Sequence, residues 1–453
     1  MIKNTTLIAL LAAVILGGLV YYFEVKHPRT EAPSAGDITS TSMPAFSLKS
    51  SDVASFTVSY PPGANKPMLR VDKKGDSWEI EQPLQTPADS AAVQSVLDSF
   101  VYAQITQTEP STPDRLKVYG LDPSKASIEI RLQNGQKHMI ELGEKDFTGG
   151  SVYAIVDGAK NVSIISGSIL GDAEKSADDL RDHAVLHPGS GHVSAFTLKN
   201  ASGELAAGSE TKENTVWKLT KPQSAAADGD AVETLLGAVT SAKSTAVVSE
   251  KPDNLAKYGL ASPAISFTET DDKGHASTLV VGKKDGSEYF ARDTSRPLVF
   301  RVNDDLYKKL SENFNDFRDK NVIQFDPADM NAVELRNAHG TIAIHCKQGD
   351  DWVMDAPDSQ KGKPVVIGNV FDPLRTLRSE AVLDHPPANL AALLKKPAVE
   401  ATLTDKNGKK ITLRISSPSG DFVYAQSSES PALFKLKKEA VDAVNFDAPQ
   451  LLN

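Results

Sequence analysis

The sequence predicts an α+β chain of three tandem modules, each mainly antiparallel sheet plus helix, after one N-terminal transmembrane helix. Three observations predict it. An uncharged apolar run opens the chain. Tryptophan followed five residues later by proline occurs three times, as Trp78 and Pro83, Trp217 and Pro222, and Trp352 and Pro357. Within each interval, stretches of period-two alternation surround one stretch of helical period.

Composition sets the bounds. The 453 residues allow roughly three domains of about 150 residues each. A net charge of −10, from 59 acidic against 49 basic residues, leaves no basic face for phosphates, so nucleic acid is not an expected partner. The single cysteine, Cys346, cannot form an internal disulfide. It sits in an alternating stretch and reads as a small strand residue.

The apolar run covers residues 7–23, LIALLAAVILGGLVYYF, opening at Leu7 and closing at Phe23. At about 1.5 Å per residue it spans roughly 26 Å, near the lower limit for a bilayer core. Tyr21 and Tyr22 stand where aromatic rings favour the headgroup layer. The run exceeds the usual signal-peptide core, and no small-x-small cleavage site follows it. The expectation is an uncleaved anchor over residues 1–29 and its flanks, with the lipid bilayer as a partner. Lys3 precedes the run while Lys26 and Arg29 follow it, so local charge barely selects an orientation. Long following domains translocate largely regardless of charge, which favours the amino terminus inside and the bulk outside. Residues 30–51, small, polar and proline-containing, read as a tether.

The repeat fixes the rest. Trp78 and Trp217, Tyr119-Gly120-Leu121 and Tyr258-Gly259-Leu260, and Gly143 and Gly282 all stand 139 residues apart. Asp179-Leu180-Arg181-Asp182 matches Asp316-Phe317-Arg318-Asp319 at offset 137. The third copy, aligned through Trp352 and Pro397, carries Leu393-Leu394 in place of Tyr-Gly-Leu and lacks the closing Arg-Asp. The copies are placed at 52–189, 190–326 and 327–453.

Each copy opens with an alternating strand. A second strand and the tryptophan strand follow, then a helix. In copy one Val93, Val96, Leu97 and Phe100 recur at helical spacing behind Asp89 or Ser90 as cap. In copy two Asp230 heads Val232, Leu235 and Leu236. Thr112 suits an N-cap and Pro113 the first helical position. Gly120 suits the left-handed stop, with Leu121 as its apolar closure and Pro123 preventing continuation. Two or three antiparallel strands come next, marked by turns at Asn134-Gly135 and Asn407-Gly408.

Candidate chemistry is sparse. His183, His187 and His192 include H-x3-H spacing, which on a helix would put two imidazoles on one face. Pro188 follows at once, and the 137-residue offset turns His183 into Lys320 and His187 into Gln324. No metal site is therefore expected. Arg181, Asp182, Arg318 and Asp319 recur as a pair of pairs. One reading is an ion pair or cap tying the module end to its core; the other is a guanidinium offered to an anionic ligand. Trp78, Trp217 and Trp352 read as core residues rather than sugar-stacking platforms. Asp271-Asp272-Lys273-Gly274 reads as a hairpin turn. No phosphate-binding loop or nucleophile elbow occurs, so neither a catalytic set nor a cofactor is expected.

The W-x4-P strand, the K-x-Y-G-L segment with its following proline, the closing Arg-Asp and the anchor together resemble the bacterial family called domain of unknown function 4340. The likeness covers nearly all the chain after the tether. It implies an envelope-associated protein without assigned catalytic residues. Some members are similar in setting to auxiliary components of ABC-type transport systems linked to gliding motility. The expected function is a membrane-anchored, non-catalytic binding or assembly module, single-pass in the bacterial inner membrane. Its bulk would lie on the periplasmic or outer side, with a protein partner in the envelope, ABC transporter components being the pointer from the resemblance. The alternative is an envelope enzyme or carbohydrate-binding protein with a site between modules.

Overall fold

The computed structural model describes residues 42–209, 216–349 and 351–452; the apolar run at 7–23 lies outside them. Among the described residues no helix is long and apolar enough to cross a membrane. The chain divides into two compact units, with the break between Asp182 and His183. The first unit holds one sheet and the second holds two, every strand pairing being antiparallel.

The three sheets share one topology. The opening strand, Val53–Ser59, Val193–Asn200 or Met330–Asn337, lies in the middle of its sheet. On one side it pairs with the strand before the tryptophan strand; on the other it pairs with the first strand of a meander. That meander has four strands, more than the two or three the turns suggested, running from Ala126–Leu132 to Asn161–Ser166 in the first sheet. The last of them pairs with the strand that follows the helix: Gln104–Pro110, Ala246–Ser249 or Ala381–Leu383. The architecture is thus α+β, with three copies of one sheet.

Alternation explains why these segments are strands. Ala126–Leu132 and Ile265–Asp271 bury every second residue, so one face meets the core and the other meets solvent. Helix Ser90–Val101 buries Val93, Val96, Leu97 and Phe100 and is capped by Asp89, whose carboxylate accepts from the amides of Ala91 and Ala92. The cap of Gly229–Ser241 is Asp228, two residues before the expected Asp230, which instead sits in the first turn. The three tryptophans are buried in their modules' cores, and the prolines Pro83, Pro222 and Pro357 all follow cis peptide bonds. Cys346 lies half-buried in strand Gly340–Gln348.

Packing moves the entry points of the modules. Residues 42–51, read as part of the tether, are built into the first module: Met43–Pro44 pairs with Gln104–Pro110 and forms the sheet edge, and Phe46 is buried in the core. Equivalent connectors do the same elsewhere. Val185 and Leu186, read with the first copy, lie in the second core, and Val322 and Ile323 lie in the third. In each case a backbone amide of the connector donates to the carbonyl just after the helix: Ala45 to Ala103, Val185 to Ala242, Val322 to Leu377. Two adjacent apolar residues anchor each entry because a polar tether there would leave that end of the core open to water.

The Tyr-Gly-Leu segment is a helix stop, as its residues suggested. Thr112 caps Pro113–Val118, and Gly120 takes φ +65°. Gly120 donates to Lys117 and Leu121 to Leu116, closing the turn; Gly259 and Leu260 do the same onto Ala256 and Leu255. A second glycine is needed for this stop to dock. A Cβ on Gly143 or Gly282 would collide with the carbonyl oxygen of Tyr119 or Tyr258. Register makes Ser416 the third-copy counterpart, since Ile415 pairs with Ala425 as Val281 pairs with Ala291. The copy that lost Tyr-Gly-Leu thus also lost the glycine. Ser416 is fully buried there, and its hydroxyl accepts from the amide of Tyr424.

Gly282→Ala will therefore destabilise the second module by about 1–3 kcal/mol, the usual cost of overpacking against a backbone that cannot yield. Urea denaturation measures it; an unchanged midpoint would show that the Tyr258 carbonyl can move aside.

Candidate functional site

The closing segments place the recurrent Arg-Asp pairs. In the first unit, helix Ala177–Leu180 ends at Arg181, which bridges Ala88 at the edge beyond the short strand Thr86–Pro87. The amide of Asp89 donates to Leu180, and that of Asp182 donates to Pro87. Arg181 is only 4 % exposed. Its guanidinium donates to Asp178 at 3.3 Å and to the Thr86 hydroxyl at 3.4 Å.

Arg318 repeats the backbone arrangement in the second unit, bridging Ala227, with Asp228 donating to Phe317 and Asp319 to Ala226. Its side chain goes elsewhere. Nη1 donates to Asp384 Oδ1 at 2.7 Å and to Asn315 Oδ1 at 3.3 Å, and the guanidinium lies 5.4 Å from the centre of the Phe314 ring. Asp384 belongs to the third module and also accepts from Gln223 Nε2 at 2.9 Å. A second ion pair crosses in the opposite sense, from Arg378 of the third module to Asp228, the helix cap of the second, at 2.5 Å.

Between these modules lies a cavity of about 510 Å³. Its lining combines polar side chains, among them Gln223, Arg318, Asp319 and Gln324, with apolar ones, among them Val322, Val382, Pro431 and Phe434. Burial raises the Asp384 carboxyl, but hydrogen bonds from Gln223 and Arg318 and the charge of Arg318 outweigh it, and the net shift is downward. Asp319 goes the other way. Burial and the nearby charge of Asp228 raise it against the Asn321 amide, Arg378 and the Gln324 side chain, which accounts for a carboxyl above its ordinary value. The arginine is already matched by Asp384, so the cavity offers hydrogen-bonding groups more than a free cation. Its lining contains no histidine or cysteine.

The histidines separate. His183 meets the Ser244 hydroxyl at 3.0 Å, His187 meets Asp293 at 3.3 Å, and the His192 carbonyl accepts from the Asp272 amide. No metal-holding group of His, Cys, Asp or Glu forms among the described residues. Asp293 is fully buried; burial pushes its carboxyl up, but His187, Ser295 and Arg296 hold it down at about 2.

Sequence reasoning found Arg318 and Asp319 but missed Asp384, Gln223 and Arg378. Nothing local marks Asp384, which lies 66 residues from Arg318 in the divergent copy.

A family model described as domain of unknown function (DUF4340) matches residues 78–215 and again residues 217–397. Both matches begin at or one strand residue from the start of the tryptophan strand, at Trp78 and Trp217, so the family unit is out of phase with the sheets. Neither a curated protein nor a solved structure matches the chain.

Two measurements test this geometry. Arg318→Ala will cost about 1.5–3 kcal/mol, the range for a hydrogen bond to a charged group. A double-mutant cycle with Asp384→Ala will give a coupling above about 0.5 kcal/mol; zero coupling would make the pair incidental. Because Asp293 titrates lower in the folded chain than its ordinary 3.8, its contribution is present above about pH 3.8 and is lost as pH falls towards 2. Hydrogen exchange across residues 183–192 will report that loss, and Asp293→Asn will remove the acid dependence.

Proposed function

The chain belongs to the DUF4340 family, and we propose that it is a membrane-anchored, non-catalytic binding or assembly module of the cell envelope. In this reading residues 7–23 hold it in the inner membrane, the modules occupy the periplasmic or outer side, and the partner is an envelope protein. The resemblance noted in the sequence makes a component of an ABC-type transport system the first candidate.

The observation that carries this reading is the pair of ion pairs between the second and third modules. Arg318 reaches forward to Asp384 while Arg378 reaches back to Asp228. Two charges crossing in opposite senses fix a relative orientation better than one, because each resists a different sliding motion. Modules held in register present one continuous surface, which suits protein contact better than flexibly strung domains.

A second reading rests on the same cavity. Its amides, hydroxyls and apolar side chains suit a neutral, hydroxyl-rich ligand such as a carbohydrate, since Arg318 is already neutralised. Envelope glycans titrated against the full chain would raise its melting temperature under this reading, and Gln324→Ala would abolish the rise.

Crosslinking in native membranes, followed by identification of captured proteins, tests the assembly reading. Recovery of an envelope or transport component supports it, and recovery of none removes it. A reporter fused after Asn453 will be active outside the cytoplasm; cytoplasmic activity would reverse the topology.

A further inference from the structure

The second module carries a buried acid that its siblings lack. Glu269 lies on the core face of strand Ile265–Asp271 and is 2 % exposed. Register identifies its counterparts. Phe196 pairs with Glu269, Phe56 with Ile130, and Val333 with Leu403, each pair next to the same bulge in the opening strand. Ile130 and Leu403 are both fully buried, in the middle of apolar cores. A carboxyl therefore stands where the same fold twice places a branched aliphatic side chain.

Neither oxygen of Glu269 has a hydrogen-bond partner among the described residues. The flanking strands place Phe196 and Ser277 opposite it. Charged groups on the surrounding elements are engaged with partners other than Glu269. Asp271 binds His275 and the Gly191 amide, Asp293 binds His187 and Arg296, and Glu233 accepts from the Trp217 indole. Burial alone acts on the Glu269 carboxyl, and it acts upward. An ionised carboxylate without donors in such a place is far costlier than a neutral acid.

We infer that Glu269 enters the folded core as its neutral acid, in the place that Ile130 and Leu403 hold in the other modules, and that strand Ile265–Asp271 loses stability as pH rises above the range in which that acid keeps its proton. The sign follows from linkage. A carboxyl raised in the folded state leaves stability intact below its unfolded value of 4.5. Stability then falls as pH climbs towards the folded value, by up to about tenfold in the folding equilibrium per pH unit. No partner has to bind for this to operate; the proton is the ligand.

The test uses the full chain, as wild type, Glu269→Gln and Glu269→Leu, the last being the third copy's own choice. Infrared difference spectra at pH 5, just above the unfolded value of 4.5, should show a protonated-carboxyl band in wild type that Glu269→Gln lacks. Hydrogen exchange in Ile265–Asp271, corrected for intrinsic rates, should show opening that grows, by at most about tenfold per pH unit, as pH rises above 4.5. In Glu269→Leu that slope should vanish, leaving greater protection at pH 7. A carboxylate band assigned to Glu269 in wild type in those spectra would overturn the inference, as would equal slopes in wild type and Glu269→Leu. The infrared comparison needs only wild type and the near-isosteric Gln variant, so it decides the matter even if the leucine variant misfolds.

Discussion

Each module depends on the return of its chain from the last meander strand to the opposite edge of the sheet. An antiparallel sheet leaves a row of unpaired amides and carbonyls at its edges, and those groups must be satisfied or covered. Here the closing segment arrives beside the short strand that follows the tryptophan turn. Its carbonyl accepts a backbone hydrogen bond from the approach to the main helix: Leu180 from the cap Asp89, Phe317 from the cap Asp228, and Leu451 from Val366, two residues before Gly368. In the first two modules the donating residue also caps the helix with its side chain. Sheet edge, helix start and module end are thus fixed at one place. The apolar residue of the closing segment is buried in all three modules, which secures the junction from below.

The third module shows which parts of this junction are indispensable. It keeps the backbone bridge, now between Val365 and Leu452, without the arginine and aspartate. The Arg-Asp pair is therefore an addition to the closure rather than its cause. In the second module the addition faces the neighbouring module, where Arg318 finds Asp384. A similar economy governs the helix stop. Tyr-Gly-Leu and the glycine beneath it are present together or absent together, because the tyrosine carbonyl can approach the strand only where no Cβ intervenes.

Tyr119 and Tyr258 also show how one segment serves different surroundings. Tyr119 stacks on Tyr153 with ring centres 4.1 Å apart, while Tyr258 meets Phe290 edge-on at 5.1 Å. Tyr153 and Phe290 hold equivalent places, each preceding an alanine paired with the strand before it. The second copy adds Leu260, Val299 and flanking apolar residues into a small core on that outer face. Aromatic pairs of this kind add about 0.5–1.5 kcal/mol beyond their buried area, which helps hold a segment too short to be a stable helix alone.

Much of this was legible in the residues because local chemistry specifies local structure. Alternation marked the strands, Asp89 and Thr112 marked helix starts, Gly120 marked a stop, and the 139-residue spacing marked the repeat. Those signals depend on neighbours within a few positions, and a sequence displays such neighbours directly. What only the tertiary structure decided depends on residues brought together from afar. The connectors at Phe46, Val185 and Val322 look like linkers until the next core is seen to enclose them. Arg318 was recognisable as a recurring cation, but its meeting with Asp384 follows from how two modules sit within one compact unit. Glu269 stood in plain alternation, yet its burial without a partner appears only when register sets it beside Phe196 and in line with Ile130 and Leu403. Periodicity says which face a side chain takes; only packing says whether anything on that face can share its charge.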